Sequence, residues 1–218
     1  VLSFLSIGQG DAALLELPGG KTMLIDAGGM FGSFDVGERL VAPYLWKRGI
    51  RAIDTIVMSH GDYDHIQGFE FVMEHFDVKE VWVSQADGSA IFYKIIEVAE
   101  KKAITPHVLS RQSPSRVING VTFEFFSPSD PFHADSDNNR SLVIRCVYQD
   151  VSVLFTGDME AEVEQRLVDL YGPHLKSTIL KVPHHGSNTS SSPVFLKAVS
   201  PELAVISAGR YNHYGLPK

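Results

Sequence analysis

Apolar runs and short turns alternate through the first third of the chain. A run to Ile7, the turn Gly8-Gln9-Gly10-Asp11, a second run from Ala12 to Leu17 and the break Pro18-Gly19-Gly20 predict a β-meander. A third run, Thr22 to Ile25, stops at Asp26-Ala27-Gly28-Gly29. The period then lengthens. Val36, Leu40, Val41, Tyr44 and Leu45 fall on one helical face, Pro43 sits where it can kink that helix, and Gly49 ends it. Ile53 to Met58 predicts a strand that delivers the chain to Ser59-His60.

The second half repeats this plan. A strand from Val151 to Phe155 ends at Thr156-Gly157-Asp158, and a helix from Glu160 to Tyr171 carries Val163, Leu167 and Leu170 as its apolar stripe. Gly172-Pro173 breaks it, and a strand from Thr178 to Val182 ends at Pro183-His184-His185. Both halves read strand, acidic residue, helix, strand, histidine. The pattern predicts two βαβ-like halves whose strand ends converge, with sheets inside and helices outside. Between them lie predicted strands Glu80 to Val83, Val121 to Phe126 and Ser141 to Tyr148, and a helix near Ile91 to Ala103. No low-complexity linker interrupts residues 1–218, which read as one domain.

Composition narrows the class. A chain of 218 residues, 44% hydrophobic and 21% charged, can bury one substantial core and is not a disordered sequence. No apolar stretch approaches the roughly 20 residues that span a bilayer. The chain opens on Val1-Leu2-Ser3-Phe4-Leu5 with neither initiator Met nor leader, which reads as a piece excised from something longer. The single cysteine, Cys146, lies in an apolar run and reads as a small buried hydrophobe. A formal net charge of −7 argues against a general basic coat for nucleic acid, unless a carboxylate-rich metal site supplies the negative charge.

Ser59-His60-Gly61-Asp62-Tyr63-Asp64-His65 places four metal-ligand side chains within six residues, after a buried strand. At that density carboxylates and imidazoles repel or stay merely solvated, whereas divalent cations satisfy them together. His60 and Asp62 alternate along one side of an extended loop, and Asp64 and His65 can point to a second position, the arrangement expected of two neighbouring metals. His75, His107, His133 and His174 have no ligand-spaced neighbours.

This segment resembles the HxHxDH signature of the metallo-β-lactamase superfamily, with Asp62 in place of the second His. Leu24 to Gly28 resembles that superfamily's early aspartate-glycine turn, and Phe155-Thr156-Gly157-Asp158 the strand ending in its bridging aspartate. Gly8-Gln9-Gly10-Asp11, Asn138 to Val143, Thr156-Gly157-Asp158 and Val182 to Ser187 together resemble the C-terminal hydrolase domain of the ComEC family of competence proteins. The resemblance implies an α/β fold, the four-layer αβ/βα sandwich, with a two-metal site. By position it gives His60 and Asp62 to one metal, Asp64 and His65 to the other, and Asp158 to the bridge. Asn139 stands where the superfamily usually has a His. Two oxygen donors in place of imidazoles favour Mn²⁺, with Zn²⁺ as the alternative. Aligning the internal repeat makes His184 the remaining ligand and leaves His185, with Asp64 and Asp158, to the chemistry. His185 would then donate a proton to a leaving oxygen.

Asn139, Ser141, Ser187, Asn188 and His213 are the expected substrate contacts. His213 is included because Leu216 occupies the place before Pro217 where the resemblance predicts a His. The function implied is phosphodiester hydrolysis of DNA during uptake, degrading the strand that does not enter, with metals plus Arg140, Lys181 and Arg210 providing local positive field. The implied setting is a bacterial membrane channel protein, with this chain on its extracytoplasmic face and not itself inserted in the bilayer. Two other readings stand beside it: a hydrolase of a small ester, lactone or phosphocholine substrate, and a metal-poor assembly module of the channel.

Overall fold

The computed structural model describes residues 1–84, 89–126 and 136–218, so His133 lies outside the described residues. The chain divides into two compact units, Val1–Val108 and Leu109–Lys218.

In the first unit, β1 (Leu2–Phe4), β2 (Ala12–Glu16) and β3 (Thr22–Ala27) form an antiparallel meander. β3 is buried along its whole length, and its sequence is accordingly a continuous apolar run rather than an alternation. A π-helical turn over Gly37–Val41 leads into α1 (Ala42–Lys47). Here the expected kink at Pro43 becomes a widened turn. The Ala42 N–H reaches back to the Gly37 carbonyl, and the proline, which has no N–H, sits just beyond it in the first turn of α1.

β4 (Ala52–Met58), α2 (Tyr63–Ile66), α3 (Phe69–His75), β5 (Asp77–Val83), α4 (Ala90–Lys101) and β6 (Pro106–Val108) follow. β3 to β6 run parallel, giving a six-stranded sheet in sequence order. Helix α4 begins where the Ser89 hydroxyl accepts the Phe92 N–H at 3.2 Å, and it buries Phe92, Ile95 and Ala99 in a core with Leu24, Ile56, Phe69 and Val81. Burying Phe92 or Ile95 contributes about 1.5–3 kcal/mol. The cap contributes about 1 kcal/mol. Packing therefore holds the helix, and the cap fixes where it starts.

The second unit repeats the scheme. β7 (Arg116–Ile118), β8 (Val121–Phe125), β9 (Ile144–Tyr148) and β10 (Val151–Phe155) are antiparallel. A parallel crossover follows through α5 (Ala161–Tyr171), β11 (Ile179–Lys181), α6 (Pro193–Val199) and β12 (Leu203–Val205). Val163 and Leu167 of α5 pack with Leu154, Leu180 and Phe195. Residues Asp137–Arg140 form a 3₁₀ turn, so β9 starts three residues later than Ser141. Cys146 is buried on β9, and desolvation pushes its thiol far above the ordinary range, which leaves it inert.

Each unit is thus an antiparallel meander feeding parallel strands, the repeat its sequence predicts. Candidate ligands follow the carboxyl ends of the parallel strands, where sites form in such sheets. Among the described residues no helix is long and apolar enough to cross a membrane.

Candidate metal centre

In the first unit Asp26, at the end of β3, organises the histidines. It is buried with φ of 55°, in the left-handed region, which Asp tolerates better than most residues. Its Oδ1 accepts the Ser59 N–H at 2.9 Å and its Oδ2 accepts the Ser59 hydroxyl at 2.7 Å. That hydroxyl has one hydrogen, spent on Asp26. The 3.0 Å contact between Ser59 Oγ and His60 Nδ1 therefore needs the imidazole as donor. His65 Nδ1 lies 2.9 Å from Asp26 Oδ2 and must donate, because a carboxylate oxygen only accepts. In their neutral form both rings thus carry the proton on Nδ1 and a lone pair on Nε2, the tautomer a metal requires.

His60 Nε2 is buried, makes no hydrogen bond and faces Asp62 Oδ2 at 3.5 Å, too far to be one. A buried lone pair facing an ionised carboxylate suits a divalent cation. Asp11, buried with its Oδ2 3.9 Å from His65 Nδ1, joins His65 as a ligand-type side chain of this unit.

The loop is held on two sides. A Cβ on Gly10 would fall 2.1 Å from the Asp64 carbonyl, which also accepts the Asp11 N–H at 3.2 Å. The Gly8-to-Asp11 turn therefore lies directly on the His-Asp loop, with Asp64 half-buried between them. On the other side the Ser89 hydroxyl donates to the Gly61 carbonyl at 3.0 Å.

In the second unit the ligand-type pair is Asp158 and His185, both buried. The Asp158 N–H donates to Ser141 Oγ at 2.9 Å, and the Ser141 hydroxyl donates to the Asn138 carbonyl at 2.7 Å. Thr156 Oγ1 donates to the Lys181 carbonyl at 2.7 Å, joining the ends of β10 and β11. His185 Nδ1 lies 2.9 Å from the Ser207 carbonyl, which can only accept, so in the neutral ring Nε2 holds the lone pair, 3.2 Å from Asp158 Oδ2.

His184 turns elsewhere. Its Nδ1 is 3.1 Å from Thr189 Oγ1 and 3.7 Å from Glu160 Oε1, and the two imidazole centroids are 6.2 Å apart. His184 and His185 have φ of 49° and 52°, a left-handed pair costing about 1–2 kcal/mol each. Strain of this kind collects at functional sites.

The expected substrate contacts separate. Asn139 is buried and its Oδ1 accepts the Glu160 N–H at 2.9 Å, fixing the start of α5 rather than offering that oxygen to a metal or substrate. Ser141 is buried, and its Oγ accepts the Asp158 N–H. Ser187 Oγ meets Thr189 Oγ1 at 3.1 Å within its own loop, while Asn188 and His213 are exposed.

Of the expected cations, Lys181 is buried and donates to the Val182 carbonyl at 2.9 Å, Arg140 pairs with Asp137 at 3.8 Å, and Arg210 lies 5.4 Å from the Tyr211 ring centre. The Leu216 N–H donates to Asn212 Oδ1 at 3.0 Å, and the Lys218 N–H to the Gly186 carbonyl at 2.9 Å, which ties the terminal segment to the His184–His185 loop. Sequence reasoning gave no role to Asp11, Asp26, Ser59 or Ser89. The signal for the first two was present, since both are acidic residues in glycine-bearing turns beside strands.

Comparison with known proteins gives the family and the fold. The family model described as Metallo-beta-lactamase superfamily matches residues 5–210. ComE operon protein 3 of Bacillus subtilis is 31% identical over 233 residues, covering 99% of this chain and 29% of that protein. Competence protein ComA of Neisseria gonorrhoeae is 36% identical over 210 residues, covering 96% of this chain and 27% of that protein. The chain therefore spans less than a third of the length of these relatives. Among solved structures, the metallo-beta-lactamase fold protein YhfI from Bacillus subtilis matches with a TM-score of 0.60 at 12% identity, covering 98% of this chain and 89% of that one, a likeness of fold.

Proposed function

The chain belongs to the metallo-β-lactamase superfamily, and we propose that within it this chain is a metal-dependent phosphodiesterase that cuts DNA during competence, degrading the strand that is not transported. The observation that carries the reading is the ligand-ready loop after β4, where the His60 Nε2 lone pair faces the Asp62 carboxylate. The relatives named for competence support the biological setting. In this proposal the parent protein is a membrane channel and the domain works on its extracytoplasmic face.

Within the first unit His60 and Asp62 would hold one ion and Asp64 and His65 a second, and in the second unit Asp158 is the proposed ligand. Bound there, the ions supply Lewis acidity toward a phosphoryl oxygen and activate water. Oxygen donors at Asp62, Asp64, Asp158 and Asp11 favour Mn²⁺ over Zn²⁺. Within the second unit, we exchange the two roles that repeat alignment assigns. His185, with Nδ1 engaged by Ser207 and Nε2 toward Asp158, is the ligand. His184, held at Nδ1 by Thr189 and near Glu160, gives its proton to the leaving oxygen.

The test combines metal titration with cleavage of a labelled oligonucleotide in Mn²⁺ and in Zn²⁺. Wild type should cleave faster with Mn²⁺. His185→Ala should lose bound metal. His184→Ala should keep it and cleave about 10²- to 10⁴-fold more slowly. Metal loss on His184→Ala instead would restore the original assignment, and no cleavage by wild type in either metal would remove the proposed activity.

A further inference from the structure

Met30-Phe31-Gly32-Ser33-Phe34 follows the Asp26-to-Gly29 turn, and its three apolar side chains are left in water: Met30 is 42% exposed, Phe31 78% and Phe34 40%. Scattered exposed apolar residues are ordinary, but three on one five-residue loop are a patch. The Phe31 ring is also held in place. It stacks on Tyr63 with centroids 4.6 Å apart and planes 14° from parallel. Tyr63 lies between Asp62 and Asp64 in the ligand loop. The backbones of the two loops meet as well, since a Cβ on Gly29 would fall 1.9 Å from the Tyr63 carbonyl.

We propose that Phe31 is a stacking platform for one unpaired nucleobase of single-stranded DNA. The inference rests on the phosphodiesterase reading and names the form of its substrate. One face of the ring is supported by Tyr63, and the ring as a whole remains largely open to solvent, so the loss of freedom that stacking demands has already been met. A nucleobase is a flat π-system of matching size. In a duplex both its faces are covered by neighbouring pairs, and only an unpaired base offers one to a protein ring. Stacking is indifferent to base identity, as degradation requires. It also involves no phosphate, so it does not depend on positive charge in a chain whose net charge is −7.

The experiment measures binding of a fluorescein-labelled single-stranded oligonucleotide by anisotropy and cleavage of the same strand on gels, for wild type, Phe31→Ala and Phe31→Trp. Each strand position is replaced in turn by an abasic site. Phe31→Ala should weaken binding by about 5- to 100-fold, and Phe31→Trp should restore it. The dependence of log Kd on log salt should keep its slope, because no ionic contact is lost. One abasic position should weaken wild type by the same factor and leave Phe31→Ala unaffected. Equal binding by wild type and Phe31→Ala would overturn the platform, as would an abasic scan in which every position affects both proteins alike. Cleavage that ignores Phe31 would remove the platform and keep the phosphodiesterase. Phe31-dependent binding with no cleavage in any metal would do the reverse.

Discussion

Asp26→Asn changes almost no volume, yet it should disable a metal site to which Asp26 donates no ligand. The carboxylate accepts three hydrogen bonds, from the Ser59 amide at 2.9 Å, the Ser59 hydroxyl at 2.7 Å and His65 Nδ1 at 2.9 Å. An amide nitrogen in place of Oδ1 would meet the Ser59 N–H donor to donor, at a cost of about 1–3 kcal/mol for an unsatisfied buried group. In place of Oδ2 it would meet Ser59 Oγ and His65 Nδ1. The hydroxyl can rotate to accept, but the imidazole must move its proton to Nε2, where a metal needs the lone pair. Loss of such an orienting carboxylate lowers metal affinity about 10- to 100-fold, or about 1.4–2.7 kcal/mol. At saturating metal the stabilisation of the folded chain falls by the same amount. Isothermal titration of Mn²⁺ into chelator-stripped protein, with melts in its presence and absence, reads both quantities. D26N that binds Mn²⁺ within twofold of wild type and melts normally would refute the tautomer argument.

Ser89→Ala removes the cap of α4 together with its bond to the Gly61 carbonyl and should cost about 1–2 kcal/mol in urea unfolding; faster amide exchange around residues 60–65 should accompany it, and an unchanged midpoint would argue against the tether. Glu164 is fully buried, accepting the Ser191 and Ser192 amides at 2.5 and 2.7 Å, and burial pushes its carboxyl above the ordinary 4.5 despite those two bonds. With the folded value above the unfolded one, the folded chain takes up the proton first. Stability relative to Glu164→Gln should therefore rise as pH falls from neutral through the raised value and level off below 4.5. Paired denaturant curves across that range check it, and a flat or reversed difference would contradict the assignment.

Elements with their own periodicity were legible in the sequence. The strand Val151–Phe155 has the bounds its residues predict, and α5 departs by one residue at its start. Short pieces were not. β6 and β12 have three residues each and exist because a parallel neighbour supplies their hydrogen bonds, which no local pattern announces. α3 spends Phe69, Val72 and Met73 on its buried face, correctly spaced but within seven residues, too few for a period to stand out. For the site, the density of Asp and His between residues 60 and 65 pointed to metal. What the adjacent His184 and His185 do depends on two left-handed backbone turns that spacing cannot reveal. The role of Asp26 depends on closing a 39-residue separation to His65.

The two meander-and-crossover units put an aspartate to different use at corresponding places. Asp26 ends the first strand of one crossover, and Asp158 follows the first strand of the other. The former is ringed by a hydroxyl, an amide and an imidazole that all donate to its carboxylate. In the latter the backbone amide is what Ser141 secures, and the carboxylate is directed at His185. What separates the two carboxylates is thus a handful of neighbouring donors rather than the fold. Altering the donors at Ser59 or Ser141 therefore changes what each carboxylate is free to do without touching the sheets.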